Sequence, residues 1–221
     1  MSKVDDEAFL KYHTVDSAEK VFREKLSEWK SGSRGNVPFR LVDIGGGDGQ
    51  KVLEFLGSSS ADFAVHTVDI EPSIDDSMRV CLDITLPVQG DFSEYFDVVY
   101  SFNAFEHFKD PLMAADNCVK MLRPGGLCLV HTVFSWRYHP VPDDYFRFTD
   151  SALRYLFSER NGLTTLECGY DLSMRRMDIR GGYFGDRDIP PIDDFGGFRE
   201  NWGVFYVGTK DGSGDIEANG M

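Results

Sequence analysis

The residues with the clearest chemical potential sit where apolar runs stop. Leu41-Val42-Asp43-Ile44 leads straight into Gly45-Gly46-Gly47-Asp48-Gly49. Glycines there permit a tight turn and let a ligand approach the backbone closely. A helix starting at the turn aims its free N–H groups at that ligand. A second apolar run ends in Val68-Asp69-Ile70, with Asp69 20 residues past Gly49. That is near the spacing at which nucleotide folds place an acid on the ribose hydroxyls, a task for an ionised carboxylate. A third run ends in Cys81-Leu82-Asp83-Ile84, and a fourth in Ser101-Phe102-Asn103, followed closely by Glu106-His107. Further on, the segment 138–149 is polar, aromatic and stiffened by Pro140 and Pro142, which suits a preorganised wall for a small substrate. His107 and His139 are the candidate general bases, because a hydroxyl is a poor nucleophile until its proton is taken. Tyr145 and Arg147 are the candidate substrate contacts.

By itself the glycine turn admits a dinucleotide, a phosphate or no ligand. The dinucleotide fingerprint G-x-G-x-x-G fails in both registers, since Gln50 and Val52 stand where its third glycine belongs. The pattern present, D-x-G-x-G-x-G, resembles the first motif of the class I S-adenosylmethionine-dependent methyltransferases. The stretches 96–111 and 121–127 are similar to the type-eleven subfamily of that class, and the resemblance runs over roughly residues 39–133. It implies S-adenosyl-L-methionine as cofactor. Asp43 would then face the cofactor's charged amino acid end, and Gly45, Gly46 and Gly47 its methionine part. Asp69 would take the ribose with Ile70 beside the cofactor, Asp83 would meet the adenine amino group, and Ile84 would cover the ring. Ser101, Phe102 and Asn103 would lie beside the cofactor, and Tyr12 stands where some members place an aromatic residue over it. Asp97 and Pro124-Gly125-Gly126 are expected to be structural.

These residues need a scaffold that brings strand ends together. Phe9, Leu10, Val21, Phe22, Leu26 and Trp29 recur at helical spacing over residues 6–30, with Thr14 or Asp16-Ser17 as a break. Residues 31–36 read as a linker. Strands are predicted over 39–44, 63–70, 79–82, 96–102, 127–133, 163–168 and 204–207, and helices over 50–56, 111–122 and from Thr149 or Asp150 to 157. Such alternation predicts an α/β, Rossmann-like, seven-stranded and mostly parallel sheet with helices on both faces. Ligands in such folds sit at the carboxyl ends of the strands. The expected organisation is a single methyltransferase domain over 1–210, with a helical lid at 1–36, an insertion at 170–202 before the last strand, and a disordered tail at 211–221. The insertion carries five arginines, among them Arg180, a candidate contact to an anionic or sugar-like acceptor. Pairing of these arginines with the insertion's own aspartates is the plainer alternative.

Composition excludes several classes. Lys and Arg number 23 against 37 Asp and Glu, a net charge of −14, which repels phosphate backbones and acidic membrane surfaces. No apolar stretch is long enough to span a bilayer, and the polar, acidic N-terminus lacks a signal-peptide layout, so the cytoplasm is the expected location. Four scattered cysteines in apolar contexts read as buried, reduced thiols. No metal-ligand cluster stands out, and activity without a metal is expected. The leading expectation is methyl transfer to a hydroxyl or carboxylate of a small polar acceptor, such as a sugar or a natural-product or polysaccharide intermediate, by a monomer or homodimer. The alternatives are N-methylation of an amino sugar or similar amine, and a non-catalytic S-adenosylmethionine-binding partner protein.

Overall fold

The computed structural model describes residues 14–33, 38–46, 49–70, 79–88, 92–136, 138–140, 142–173 and 201–211. In chain order these form β1 (Thr14–Val15), α1 (Ala18–Gly32), β2 (Phe39–Ile44), α2 (Gly49–Phe55), β3 (Phe63–Asp69), β4 (Arg79–Cys81) and β5 (Phe96–Phe102). A 3₁₀ turn (Phe105–His107) leads to α3 (Pro111–Met121) and β6 (Leu122–Ser135). Then come α4 (Asp150–Arg154), which widens into a π-type turn (Tyr155–Glu159), β7 (Leu163–Asp171) and β8 (Trp202–Lys210). The strands make one sheet in the order β1-β7-β8-β6-β5-β2-β3-β4. All neighbours are parallel except β8, which runs antiparallel to both β6 and β7.

Alternation along each strand feeds two cores. Val42 and Ile44 of β2 join Val99, Val130 and the α3 residues Ala114, Ala115 and Cys118 on one face. Leu41 joins Val98, Leu129, Phe205 and the α1 residues Phe22 and Leu26 on the other. Local signals match this packing. Asp110 accepts a hydrogen bond from Met113 N at 3.0 Å and Pro111 follows it, where a missing N–H costs nothing. Thr149 caps α4 by accepting from Ala152 N at 3.1 Å. The buried Asp97 accepts from Arg40 N at 2.7 Å and from Arg123 Nε at 2.5 Å, and Trp29 Nε1 donates to Gly125 O at 2.8 Å. These bonds fasten the 122–126 segment to β2, β5 and α1.

Four expectations change. The sheet has eight described strands, because Thr14–Val15 pairs with Tyr170 and Asp171 where a helix break was expected. Ala18–Gly32 is a core helix rather than a lid: Phe22 is fully buried with its ring edge-on to Tyr100 and Phe205, and burying such a side chain contributes about 1.5–3 kcal/mol. Strand β6 starts five residues early, since Leu122 already pairs with Phe96 before the register resumes at Val98 and Leu127. Cys81 is exposed, whereas Cys118, Cys128 and Cys168 are buried, and burial pushes the Cys118 and Cys168 thiols up to about 12. Tyr12, Gly47, Arg180 and the tail beyond residue 211 lie outside the described residues. No helix among the described residues is long and apolar enough to cross a membrane.

Strand order reverses at β2, which lies between β3 and β5. Open parallel sheets bind ligands in the crevice at such a switch point, and the glycine turn comes directly after β2 there.

Candidate active site

The turn is tight because nothing larger fits. Gly45 has φ +77°, and its N–H donates to Val68 O at 2.8 Å. A Cβ on Gly45 would come within 2.6 Å of Ala104 Cβ, and one on Gly46 within 1.6 Å of Asp43 Oδ2. Position 45 therefore requires glycine, and any side chain at Gly46 would displace the Asp43 carboxylate. Ser101 is fully buried and donates to Ile44 O at 3.0 Å. It braces the turn from behind and lines neither of the two cavities that adjoin it.

Below the turn lies a cavity of about 450 Å³ whose wall includes Gly45, Asp69, Ile70, Asp83, Ile84 and Asn103. Ile70 is 55% exposed, an apolar surface presented beside two carboxylates. Asp83 Oδ1 accepts from Thr85 N at 2.9 Å and Thr85 Oγ1 at 2.7 Å, so its second oxygen is the one left to meet a ligand. This loop is fixed from the core. The buried Asn117 of α3 donates to Ile84 O at 2.8 Å and Leu86 O at 2.7 Å. Asn103 holds a left-handed conformation, φ 51°, which costs a non-glycine residue energy. Its N–H donates to His131 O at 3.0 Å and its Oδ1 lies 2.8 Å from His131 Nδ1. His131 stacks on Phe102 at 4.2 Å and reaches Asp171 Oδ2 at 3.3 Å. Burial pushes the Asp171 carboxyl up, but the adjacent His131 imidazole and a hydrogen bond from Ser173 N outweigh it and hold it below the usual carboxylate range.

Asp43 faces a different space. With Gly46, Lys51, Phe55, Tyr100 and Phe102 it lines a neighbouring cavity of about 540 Å³. Burial, and then the negative charge of Asp69, push its carboxyl up to about 7. The expected cofactor residues thus divide between two cavities that meet at the glycine turn. A long ligand with an adenosine half and a charged amino acid half fits this layout, with glycines where its backbone approach is closest and carboxylates toward each polar end.

The second half of the crevice is built after β5 and β6. His107 lines the first cavity, together with Pro142, Asp143 and Tyr145. His139 stands beside it, ring centroids 4.9 Å apart, and is not part of that wall. Between them lies the fully buried Glu106. Its Oε2 accepts from Thr132 Oγ1 at 2.6 Å, while Oε1 is 3.9 Å from His107 Nε2 and 3.8 Å from His139 Nε2. Each imidazole is oriented by its other nitrogen: His107 Nδ1 lies against Asp143 O at 2.5 Å, and His139 Nδ1 against Asp144 Oδ2 at 3.2 Å. Glu106 also accepts through its backbone carbonyl from Tyr145 N and Phe146 N, at 2.8 and 3.1 Å, locking the two loops together. Arg147 grips both Asp144 oxygens, at 2.5 and 2.7 Å, and donates to Trp136 O and Phe146 O. Those hydrogen bonds hold the Asp144 carboxyl down at about 2. Arg147 is therefore placed to fix Asp144, and Tyr145 is the member of that pair on the cavity wall.

Sequence reading singled out neither Glu106, Asp144 nor Asn117. Glu106 was visible only as the neighbour of His107, and Asp144 as one of two adjacent acids in a polar loop. Asn117 had a signal: it is a polar residue beside Ala114 and Cys118 on the buried face of a helix.

A family model described as a methyltransferase domain matches residues 15–171. This chain belongs to the class I S-adenosylmethionine-dependent methyltransferases. Its cofactor is S-adenosyl-L-methionine, whose halves the two cavities suit. Among curated relatives, the ubiquinone biosynthesis O-methyltransferase of Rhizobium etli is 31% identical over 101 residues, 42% of this chain and 41% of the relative. That of Rhizobium johnstonii is 29% identical over 117 residues, 50% of this chain and 47% of the relative. The match thus spans less than half the length of these relatives. The fold is shared with the 1,6-didemethyltoxoflavin-N1-methyltransferase of Burkholderia thailandensis, solved with S-adenosylhomocysteine: TM-score 0.54, 15% identity, 89% of this methyltransferase and 79% of that chain. It is shared too with a phosphoethanolamine N-methyltransferase 2 of Haemonchus contortus, TM-score 0.50, 15% identity, 85% of this methyltransferase and 52% of that chain.

Proposed function

We propose that this methyltransferase acts on a hydroxyl or carboxylate oxygen of a small polar acceptor, bound where the loops after β5 and β6 meet the cofactor cavity. When bound, S-adenosylmethionine supplies a sulfonium methyl group that a nucleophile displaces in line. The chain's task is to hold the acceptor atom behind that methyl carbon, exclude water and lower the cost of losing the acceptor's proton. Ionised Asp43 pairs with the cofactor's ammonium, Asp69 accepts from the ribose, and the Asp83–Ile84 loop receives the adenine.

One observation carries the oxygen assignment. Two imidazoles have their Nδ1 atoms held by acceptors of the 142–144 segment and their Nε2 atoms turned to the same buried carboxylate, and one of them, His107, lines the cavity. A neutral amine attacks a sulfonium methyl without a base, whereas a hydroxyl gains from groups that take or neutralise its proton. The names of the curated relatives point the same way. Tyr145 and the aromatic residues Trp136 and Tyr138 nearby suit a sugar or ring-bearing acceptor, and the net charge of −14 weighs against nucleic acid.

N-methylation is the second reading. It is favoured by the negative charge of Glu106 and Asp144 in the same loops, which would attract an ammonium. The test is formation of S-adenosylhomocysteine with a panel of sugars and phenols and with their amino counterparts. The oxygen reading requires turnover with hydroxyl acceptors. It is overturned if only amines react and His107→Ala leaves their rate intact. Stoichiometric cofactor binding with no product from either set would favour a non-catalytic partner role.

A further inference from the structure

A buried carboxylate oxygen without a donor is costly and calls for an explanation. Glu106 Oε1 is in that position: Glu106 is fully buried and Oε1 has no hydrogen-bond partner among the described residues. It lies 3.9 Å from His107 Nε2 and 3.8 Å from His139 Nε2. His107 Nδ1 faces a carbonyl oxygen and His139 Nδ1 a carboxylate oxygen, so in the neutral rings the proton belongs on Nδ1 and an electron pair on Nε2. Three electron-pair donors, one of them anionic, converge within 4.8 Å of one another.

We propose that Glu106, His107 and His139 form a binding site for a divalent transition-metal cation. Two histidines and one carboxylate are a donor set for Zn²⁺, Mn²⁺ or Fe²⁺. The outer partners are those such a site requires. A ligating imidazole gives its other N–H to a carbonyl or carboxylate, and a ligating carboxylate is itself hydrogen-bonded. Asp143 O, Asp144 and Thr132 fill these roles here, and Arg147 in turn fixes Asp144. In a four-coordinate site with bonds of about 2.0–2.1 Å, neighbouring donors lie about 3.3 Å apart. The two separations from Glu106 need to close by about half an ångström and that between the imidazoles by at most about 1.5 Å, a movement open to two partly exposed side chains. Three protein donors leave coordination open to an outside oxygen, and His107 brings the site to the cavity wall. With the cation bound, the imidazoles would still ease loss of an acceptor's proton, by holding the positive charge beside it, so the oxygen assignment keeps its basis. Cation binding requires nothing of the acceptor, so it stands apart from the oxygen assignment.

The experiment titrates the chelator-stripped full chain with Zn²⁺ by calorimetry and with Co²⁺ by visible absorption. One ion per chain, d–d bands of a nitrogen–oxygen site and a raised melting temperature are expected. Glu106→Gln and His139→Ala should each weaken binding by about tenfold or more, with far-UV circular dichroism reporting their folding. His139 is partly exposed, so its variant supplies the readout if Glu106→Gln does not fold. Absence of saturable binding, or equal affinity in the folded variants, overturns the site. Hydroxyl turnover by a chain that binds no cation would overturn this inference and leave the acceptor reading intact; cation binding with amine turnover alone would do the reverse.

Discussion

At the carboxyl ends of β2, β3 and β4, each group facing the crevice comes from the residue or two that finish its own strand. Gly45 and Gly46 come after Ile44, Asp69 closes β3 with Ile70 just past it, and Asp83 and Ile84 come just after β4. Across the crevice, the groups after β5 and β6 depend on one another. Glu106 is held by Thr132, His139 by Asp144, Asp144 by Arg147, and His107 by the Asp143 carbonyl. The first half is a row of nearly independent contacts laid on a rigid sheet. The second is an interlocked polar network whose members are worth more together than singly. Damage on the cofactor side should therefore stay local and register in affinity, whereas damage on the acceptor side should spread and register in turnover.

The sharpest break is Gly46→Ala. Its Cβ falls on the Asp43 carboxylate, and cofactor affinity measured with S-adenosylhomocysteine should drop by about 100-fold or more. Retained affinity would mean the turn is not the cradle. Next, His107→Ala should lower turnover by about 100-fold while cofactor affinity stays within about twofold; a matching loss of affinity would erase the distinction between the halves. A third effect comes from pH. The ionised Asp43 carboxylate favours a cationic ligand, so wild-type cofactor affinity should rise by about tenfold as pH climbs through about 7, and Asp43→Asn should flatten that rise. Stability of the cofactor-free protein runs the opposite way. A folded value of about 7 lies above the ordinary 3.8, so the contribution of Asp43 is full below about pH 4 and is lost as pH rises through about 7. Melting temperatures of wild type and Asp43→Asn at the two ends of that window check the sign. Smallest, Asn117→Ala leaves the Ile84 and Leu86 carbonyls without their donor. It should cost about 1–3 kcal/mol of stability and weaken cofactor binding several-fold, with turnover at saturation unchanged.

The first half of the crevice was legible in the sequence for the same reason that it is modular. Strand ends announce themselves as apolar runs stopping at glycine or aspartate, and the residues just past a strand end in a parallel sheet face the crevice. Ser101 shows where that rule runs out. It ends β5 at the expected place, yet its side chain turns inward to Ile44 O, because alternation decides which face each residue takes. Asp43 shows it again: it precedes the turn as expected but lines the neighbouring cavity, not the one holding Asp69 and Asp83.

By itself, then, the sequence determined the α/β class, most strand positions, the glycine turn and the acidic strand ends, all of which rest on local spacing and backbone geometry. It also determined the methyltransferase family, through motifs contiguous along the chain. Only the tertiary structure decided that Ala18–Gly32 is core, that Thr14–Val15 joins the sheet, and that Glu106 and His139, 33 residues apart, lie side by side. Those outcomes depend on which surfaces meet after the sheet has formed. His107 and His139 are dispersed only along the chain; the parallel register of β5 and β6 brings the loops beyond them together.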